Sequence, residues 1–322
     1  EKDTLWYLIY LDKKLPSKID LNISLFQIVN RGFNFAHILK LFFNNISYLF
    51  KDSNYFLSSI STHNDIAINV ADDFKKFLTK DLKKIIINYE AQPFQNEIIR
   101  KTKKFNKNII IIGNVHVSLM AIPTHFIFKD FSPDKIIVNG LDIKFFFVNY
   151  LGWPLKRILL KKSLRFFHKK KDMGNFIFLP NNINSIRLIK NSFDFLINCK
   201  FYDFYNFKVR IHPGQLNSKI HLKLSTILEK KISYIKKNTN IKKNKNLSIF
   251  IGATGSIIEA LERNFEVIHI CENEILEKYS SEFYPNVISE KIYENIFKYK
   301  LKKKGSLIML GHKLKNINKY FS

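Results

Sequence analysis

Short β-branched runs alternate with stretches of helical period from residue 83 to residue 270, and this alternation restricts the fold more than any other feature of the chain. Runs at 83–89, 108–112, 135–139 and 157–160 have the length and the Ile and Val content of buried strands, with helical spacing between them at 94–104 and 141–151. A second series follows, with strands at 175–179, 207–211, 247–251 and 266–270, helices at 184–198 and 257–262, and a lysine-rich helix and loop over 225–245. Strands covered by helices on both faces read as continuous apolar runs. The alternation therefore predicts an α/β chain built on parallel, doubly wound sheets. Weaker patterns suggest a strand at 5–10 and a helix at 35–43.

At 322 residues the chain exceeds what one core organises, because single cores stop growing near roughly 250–300 residues. The polar stretch 164–174 breaks the rhythm and predicts a linker between two Rossmann-like domains, 1–165 and 166–322. Two such domains face each other across a cleft at the carboxyl ends of their strands, where ligands of these folds bind. Hydrophobic residues at 46% exclude intrinsic disorder. Cys199 and Cys271 stand alone, matching neither a disulfide framework nor metal-ligand spacing, which points to a reducing, cytoplasmic compartment. No apolar run reaches the ~18 residues that mark a membrane span.

The formal net charge of +26 admits three partners: nucleic acid, an anionic membrane or an anionic sugar nucleotide. Heavy use of Lys, Asn, Ile and Phe also fits the drift of AT-rich coding. Basic residues cluster at 100–107, 156–171, 230–245 and 298–304. Near anionic headgroups each is worth roughly 1 kcal/mol, so peripheral contact with the inner face of the cytoplasmic membrane is an expectation. Zinc-finger spacing, an RNA-recognition consensus and a helix-turn-helix are all missing, so no specific nucleic acid is expected.

Two motifs carry chemistry. After the run 247–251 come Gly252, Ala253, Thr254, Gly255 and Ser256, then a helix start. Small residues let backbone N–H groups approach a phosphate, the helix N-terminus adds partial positive charge, and Thr254 and Ser256 add hydroxyl donors. A plain turn with Ser256 as helix N-cap is the competing reading. After the run 207–211 come His212, Pro213 and Gly214. A histidine fixed by proline at a strand end can donate to a phosphate leaving group. Both motifs in one half share a purpose, to stabilise the charge that develops on a departing nucleotide.

His212 and Pro213 followed by Thr254, Gly255 and Ser256 resemble the His-Pro and Ser/Thr motifs of bacterial sialyltransferases and Kdo transferases. That resemblance implies the GT-B fold, a CMP-activated sugar donor, no metal and no further cofactor. It also implies donor-phosphate contacts from His212, Thr254 and Ser256, and a nucleotide-sugar-binding role for 166–322 with an acceptor side in 1–165. Residues 89–95, 113–116 and 133–140 resemble bacterial surface-carbohydrate biosynthesis proteins. The sialyltransferase pattern has an acidic residue before a glycine, whereas here Glu90 precedes Ala91 and Gln92.

Glu90, at a strand end, is the first candidate for the base that activates an acceptor hydroxyl, and a helix-capping carboxylate is the alternative. His116 is the rival base, with a core histidine as its alternative. Glu259 either reaches a ribose or closes a capping box with Ser256, the latter preferred. Asn139 and Gly140 read as a turn close to the cleft, and Arg165 as a solvated cation more than a sugar-carboxylate contact. No Asp-x-Asp pair offers metal coordination. The expected function is transfer of a nonulosonic-acid or Kdo-type sugar from a CMP-sugar to a glycan or glycolipid acceptor. A GT-B enzyme using a UDP-sugar, as transferase or epimerase, and a non-catalytic polyanion or membrane binder are the alternatives.

Overall fold

The computed structural model describes residues 4–10, 18–27, 39, 42–43, 46–47, 50, 61–116, 119–167, 173–199, 202, 204–205, 207–235, 246–311 and 318–321. By contact the chain divides into two units, 1–114 with 128–135, and 115–127 with 136–322. Residues 136–165, grouped by sequence with the first half, share the second unit. The helix expected at 35–43 lies outside the described residues except at 39, 42 and 43, and the linker expected at 164–174 lies outside them at 168–172. Among the described residues no helix is long and apolar enough to cross a membrane.

The first unit contains β1 (Trp6–Tyr10), β2 (Ile23–Gln27), α1 (Thr62–Phe74), β3 (Lys84–Asn88), α2 (Pro93–Phe105) and β4 (Ile110–Asn114). β1 pairs with β2 and β3 with β4, both parallel. Phe26, Val70, Ala71 and Ile98 form a core against which Tyr7, Phe74, Ile87 and Phe94 pack. α2 starts at Pro93, whose missing N–H costs nothing at the first helical position. Gln95 then caps that end: its Oε1 accepts the N–H of Glu90 (2.9 Å) and Gln92 (3.0 Å), while its Nε2 donates to the Asn88 carbonyl (2.6 Å). The basic stretch at 100–107 is neutralised in part, because Arg100 pairs with Glu97 (2.7 Å), Lys101 with Asp72 (2.7 Å) and Lys103 with Asp134 (2.6 Å).

The second unit contains β5 (Lys135–Val138, from 136 on), α3 (Leu141–Asn149), β6 (Ile158–Leu160), β7 (Phe176–Phe178), α4 (Ile186–Asn198), β8 (Lys208–Arg210) and α5 (Lys219–Ser233). It continues with β9 (Leu247–Ile251), α6 (Ser256–Glu262), β10 (Glu266–Ile270), α7 (Glu274–Glu277), β11 (Val287–Tyr293), β12 (Ile296–Leu301) and α8 (Asn318–Phe321). Six strands form a mixed sheet in the order β11-β12-β10-β9-β7-β8. β8, β7, β9 and β10 are parallel, and the β11–β12 hairpin adds antiparallel strands beside β10. Ile177, Ile249, Ile251, Ile268 and Ile270 share one core with Ile189, Phe193 and Leu196 of α4 and Leu224, Leu228 and Ile232 of α5. Each such side chain contributes about 1.5–3 kcal/mol by burial. The fold is thus α/β with parallel strands, as the alternation requires.

The hairpin was not foreseen, because its lysines read as a charge run. Phe297 and Tyr299 are buried, whereas Lys298 and Lys300 pair with Glu266 at 3.2 and 2.7 Å. The segment after the hairpin returns to α3. Leu141 and Asp142 donate their N–H to the Gly305 and Ser306 carbonyls (3.2 and 2.7 Å), and Met309 donates to Asn139 (2.5 Å). A Cβ at Gly140 would overlap the Leu307 carbonyl. The smallness of Gly140 serves this backbone crossing rather than approach to a ligand.

Candidate functional site

Chain order decides where the sheet of the second unit opens. From β7 the chain moves outward to β8, then crosses back past β7 to β9 and on to β10. The direction of winding therefore reverses between β7 and β9, and the crevice beyond the carboxyl ends of two such strands is the usual ligand position in a doubly wound sheet. The segments that follow these strands are 179–185 after β7, 211–218 after β8, 252–255 after β9 and 271–273 after β10. Both sequence motifs fall at this edge. β8 and β9 stand two strand spacings apart, roughly 10 Å, with β7 between them.

The loop after β9 is tightly held at its first residue. Gly252 is left-handed (φ +62°), and a Cβ there would lie 3.0 Å from Glu272 Oε2 and 3.2 Å from Pro180 Cγ. Its N–H donates to the Ile270 carbonyl (2.9 Å) and its carbonyl accepts from His269 Nε2 (2.8 Å). Thr254 Oγ1 accepts the Ser256 N–H (3.3 Å). The N-cap of α6 is Gly255, without a side-chain cap, and Ser256 is the first helical residue and exposed. The expected Ser256 cap and capping box are therefore not formed. Glu259 is buried and pairs with Arg263 (3.0 Å), one turn along the same helix.

His212 is exposed at the head of a short 3-10 turn, Pro213–Gln215, and its Nδ1 accepts the Gly214 N–H (3.2 Å). An accepting Nδ1 places the proton of the neutral ring on Nε2, which is then a donor. Gln215 Nε2 donates to Asn181 Oδ1 (3.0 Å), tying the loops after β8 and β7 together. The structure thus brings His212, Pro213, Gly252, Thr254, Gly255 and Ser256 to one sheet edge. Glu90 lies in the first unit, half-buried, beside the left-handed Ala91 (φ 53°). His116 lies in the second unit just after β4, half-buried, where Val115 donates to the Ile137 carbonyl (3.0 Å). Arg165 is exposed, its guanidinium 5.4 Å from the Phe166 ring centre, in keeping with a solvated cation.

No family model, curated protein or solved structure matches the chain significantly.

Three residues of this edge escaped sequence reasoning. His269, inside β10, is buried, and burial holds its pKa down to about 4 against the opposing hydrogen bond to Gly252. His221 of α5 is buried, with Nε2 2.9 Å from the Pro180 carbonyl and Nδ1 2.9 Å from Ser218 Oγ. Glu272 accepts the N–H groups of Asn184 (2.8 Å) and Ser185 (2.6 Å) with Oε1, at the head of α4. Only the position of Glu272 after a strand hinted at a role, since buried histidines inside apolar segments look like any core residue. His269, Cys271 and Glu277 also approach within 4.8 Å of one another. Each already has a hydrogen-bond partner: His269 Nε2 the Gly252 carbonyl, Cys271 Sγ the His269 Nδ1 (3.4 Å), and Glu277 Oε2 the Glu272 N–H (2.8 Å). Burial pushes the Cys271 thiol up, so it stays protonated in this packed cluster. A cavity lined by Asn139, Ile143, Ile258 and Leu307 has room for about one water, far short of a nucleotide.

Proposed function

We propose that the chain is the catalytic core of an inverting, metal-independent glycosyltransferase of GT-B type that uses a CMP-activated sugar. The observation that carries this reading is the placing of the His212 turn and the Gly252–Ser256 loop on either side of β7, at the winding reversal among the parallel strands of one mixed sheet. A phosphate over the end of β7 would receive the His212 Nε2–H from one side, and loop N–H groups and the Thr254 and Ser256 hydroxyls from the other. These donors stabilise the charge that grows on a nucleotide as it leaves, while the anomeric carbon becomes oxocarbenium-like. Glu90 is the proposed base for the acceptor hydroxyl, with His116 as its rival. The acceptor is a surface glycan or glycolipid, met at the inner face of the cytoplasmic membrane.

Nucleotide-dependent thermal stability tests the reading. CMP is expected to raise the melting temperature and UDP or GDP to leave it unchanged; preference for UDP would assign a UDP-sugar enzyme instead. With a CMP-sugar donor, His212→Ala and Ser256→Ala should each lower transfer by roughly 100- to 1,000-fold, the range of a lost oxyanion donor. Glu90→Ala should abolish transfer, and near-normal turnover would remove Glu90 from the mechanism.

A further inference from the structure

We propose that His221 and His269 are positioning residues of the candidate site, each drawing one backbone carbonyl away from the place where an anion would sit. The proposal rests on the phosphate-site reading above and extends it to two side chains that touch no ligand. The segments after β7 and β9 come together at Pro180 and Gly252, so closely that a Cβ on Gly252 would meet the Pro180 ring. Each of these residues carries a carbonyl whose partial negative charge would repel a phosphate. His221 Nε2 lies 2.9 Å from the Pro180 carbonyl and His269 Nε2 lies 2.8 Å from the Gly252 carbonyl.

A carbonyl only accepts, so both Nε2 atoms carry hydrogen. Each Nδ1 is then an acceptor: for His221 from the Ser218 hydroxyl (2.9 Å), for His269 from the Tyr299 hydroxyl or the Cys271 thiol (each 3.4 Å). These second bonds fix the tautomer and the ring plane. The two rings come from different elements, α5 and β10, and both are buried, at 4% and 1% exposure. Glu272 adds a third restraint by holding the Asn184 and Ser185 N–H groups. With both carbonyls engaged by ring donors, the Thr254 and Ser256 hydroxyls remain at the edge between β7 and β9 to meet an anion, beside the Glu272 carboxylate, whose Oε2 has no hydrogen-bond partner among the described residues. The ligand class this suits is a nucleoside monophosphate, bound as leaving group or product.

The test compares His221→Phe and His269→Phe, which keep a ring but lose the donor, with His221→Gln and His269→Gln, which keep an N–H donor. CMP affinity by calorimetry, circular dichroism and amide hydrogen exchange of segments 179–185 and 252–256 are measured on each full chain. The expected result is folded Phe variants that bind CMP at least tenfold more weakly, with faster exchange confined to the segment each ring holds, and Gln variants that recover most of the affinity. Folded Phe variants with wild-type affinity would overturn the proposal and leave the transferase reading standing. If a Phe variant does not fold, the Gln variant decides: full CMP affinity with protected loop amides supports the proposal, and equal weakening in a folded Gln variant opposes it. Absence of nucleotide binding by the wild type would remove the transferase reading, and exchange alone would then judge positioning, unchanged loop protection in the variants sinking it.

Discussion

A methyl group at residue 252 would fit only if its neighbours gave way by a few tenths of an ångström. The left-handed backbone costs a non-glycine residue about 1–2 kcal/mol, and the added carbon would press on Glu272 Oε2 at 3.0 Å. Gly252→Ala should therefore lower stability by roughly 2–3 kcal/mol in urea unfolding, and an unchanged midpoint would contradict this loop geometry. His269 links the same loop to pH. The unfolded chain takes up a proton on this ring near its ordinary value of 6.5, whereas the folded chain refuses it until about 4. The unfolded state thus binds more protons in that window, so the stability His269 contributes is complete above 6.5 and lost as pH falls through about 4. The loss is about 3 kcal/mol across the window, at 1.36 kcal/mol per pKa unit. His269→Gln should flatten this part of the stability–pH curve, and an unaltered curve would assign the acid sensitivity to other groups.

At the scale of elements, strands and helices were legible wherever apolar period and terminal signals agreed. α2 begins at Pro93, and α4 begins where Ser185 Oγ accepts the Leu188 N–H (3.2 Å), both within two residues of the expected starts. α1 was missed although Ile66, Ala67, Val70, Ala71 and Phe74 lie on a helical stripe, because the polar residues among them masked the period. β12 was missed because its lysines alternate with the buried Phe297 and Tyr299, and β11 because Val287 alone of its seven residues is buried. Gln95 shows what a cap does for an element that carries a candidate base. Gln95→Ala would leave two N–H groups and one carbonyl without their partner, at a cost of roughly 2–4 kcal/mol. If Glu90 is the base, transfer by the folded variant should fall as well, because the turn before α2 loses its anchor. Stability loss with intact transfer would place the base elsewhere.

Over the whole molecule, long-range backbone crossings shape the second unit. Glu262, at the end of α6, accepts the N–H groups of Gly305 (2.7 Å), Leu307 (2.7 Å) and Ile308 (3.0 Å), more than 40 residues away. Burial raises its carboxyl pKa while these three bonds oppose the rise. Glu262→Ala should lower stability by about 3 kcal/mol or more and speed exchange in 305–309, since three donors, two of them buried, lose one acceptor together. Wild-type protection there would show the segment is held by its other bonds. The basic stretches, loud in the sequence, are quieter in the fold, where several cations meet acids at hydrogen-bond distance.

Sequence alone determined the alternation of parallel strands with helices and the placing of His212 and the Gly252–Ser256 loop after strands, because periodicity and turn residues are local signals. The tertiary structure alone decided which strands are neighbours, and hence that these two loops flank β7. It also decided what the buried histidines do, since His221 and His269 hold carbonyls 41 and 17 residues away. Partners that distant are chosen by sheet order and packing, which no local pattern records.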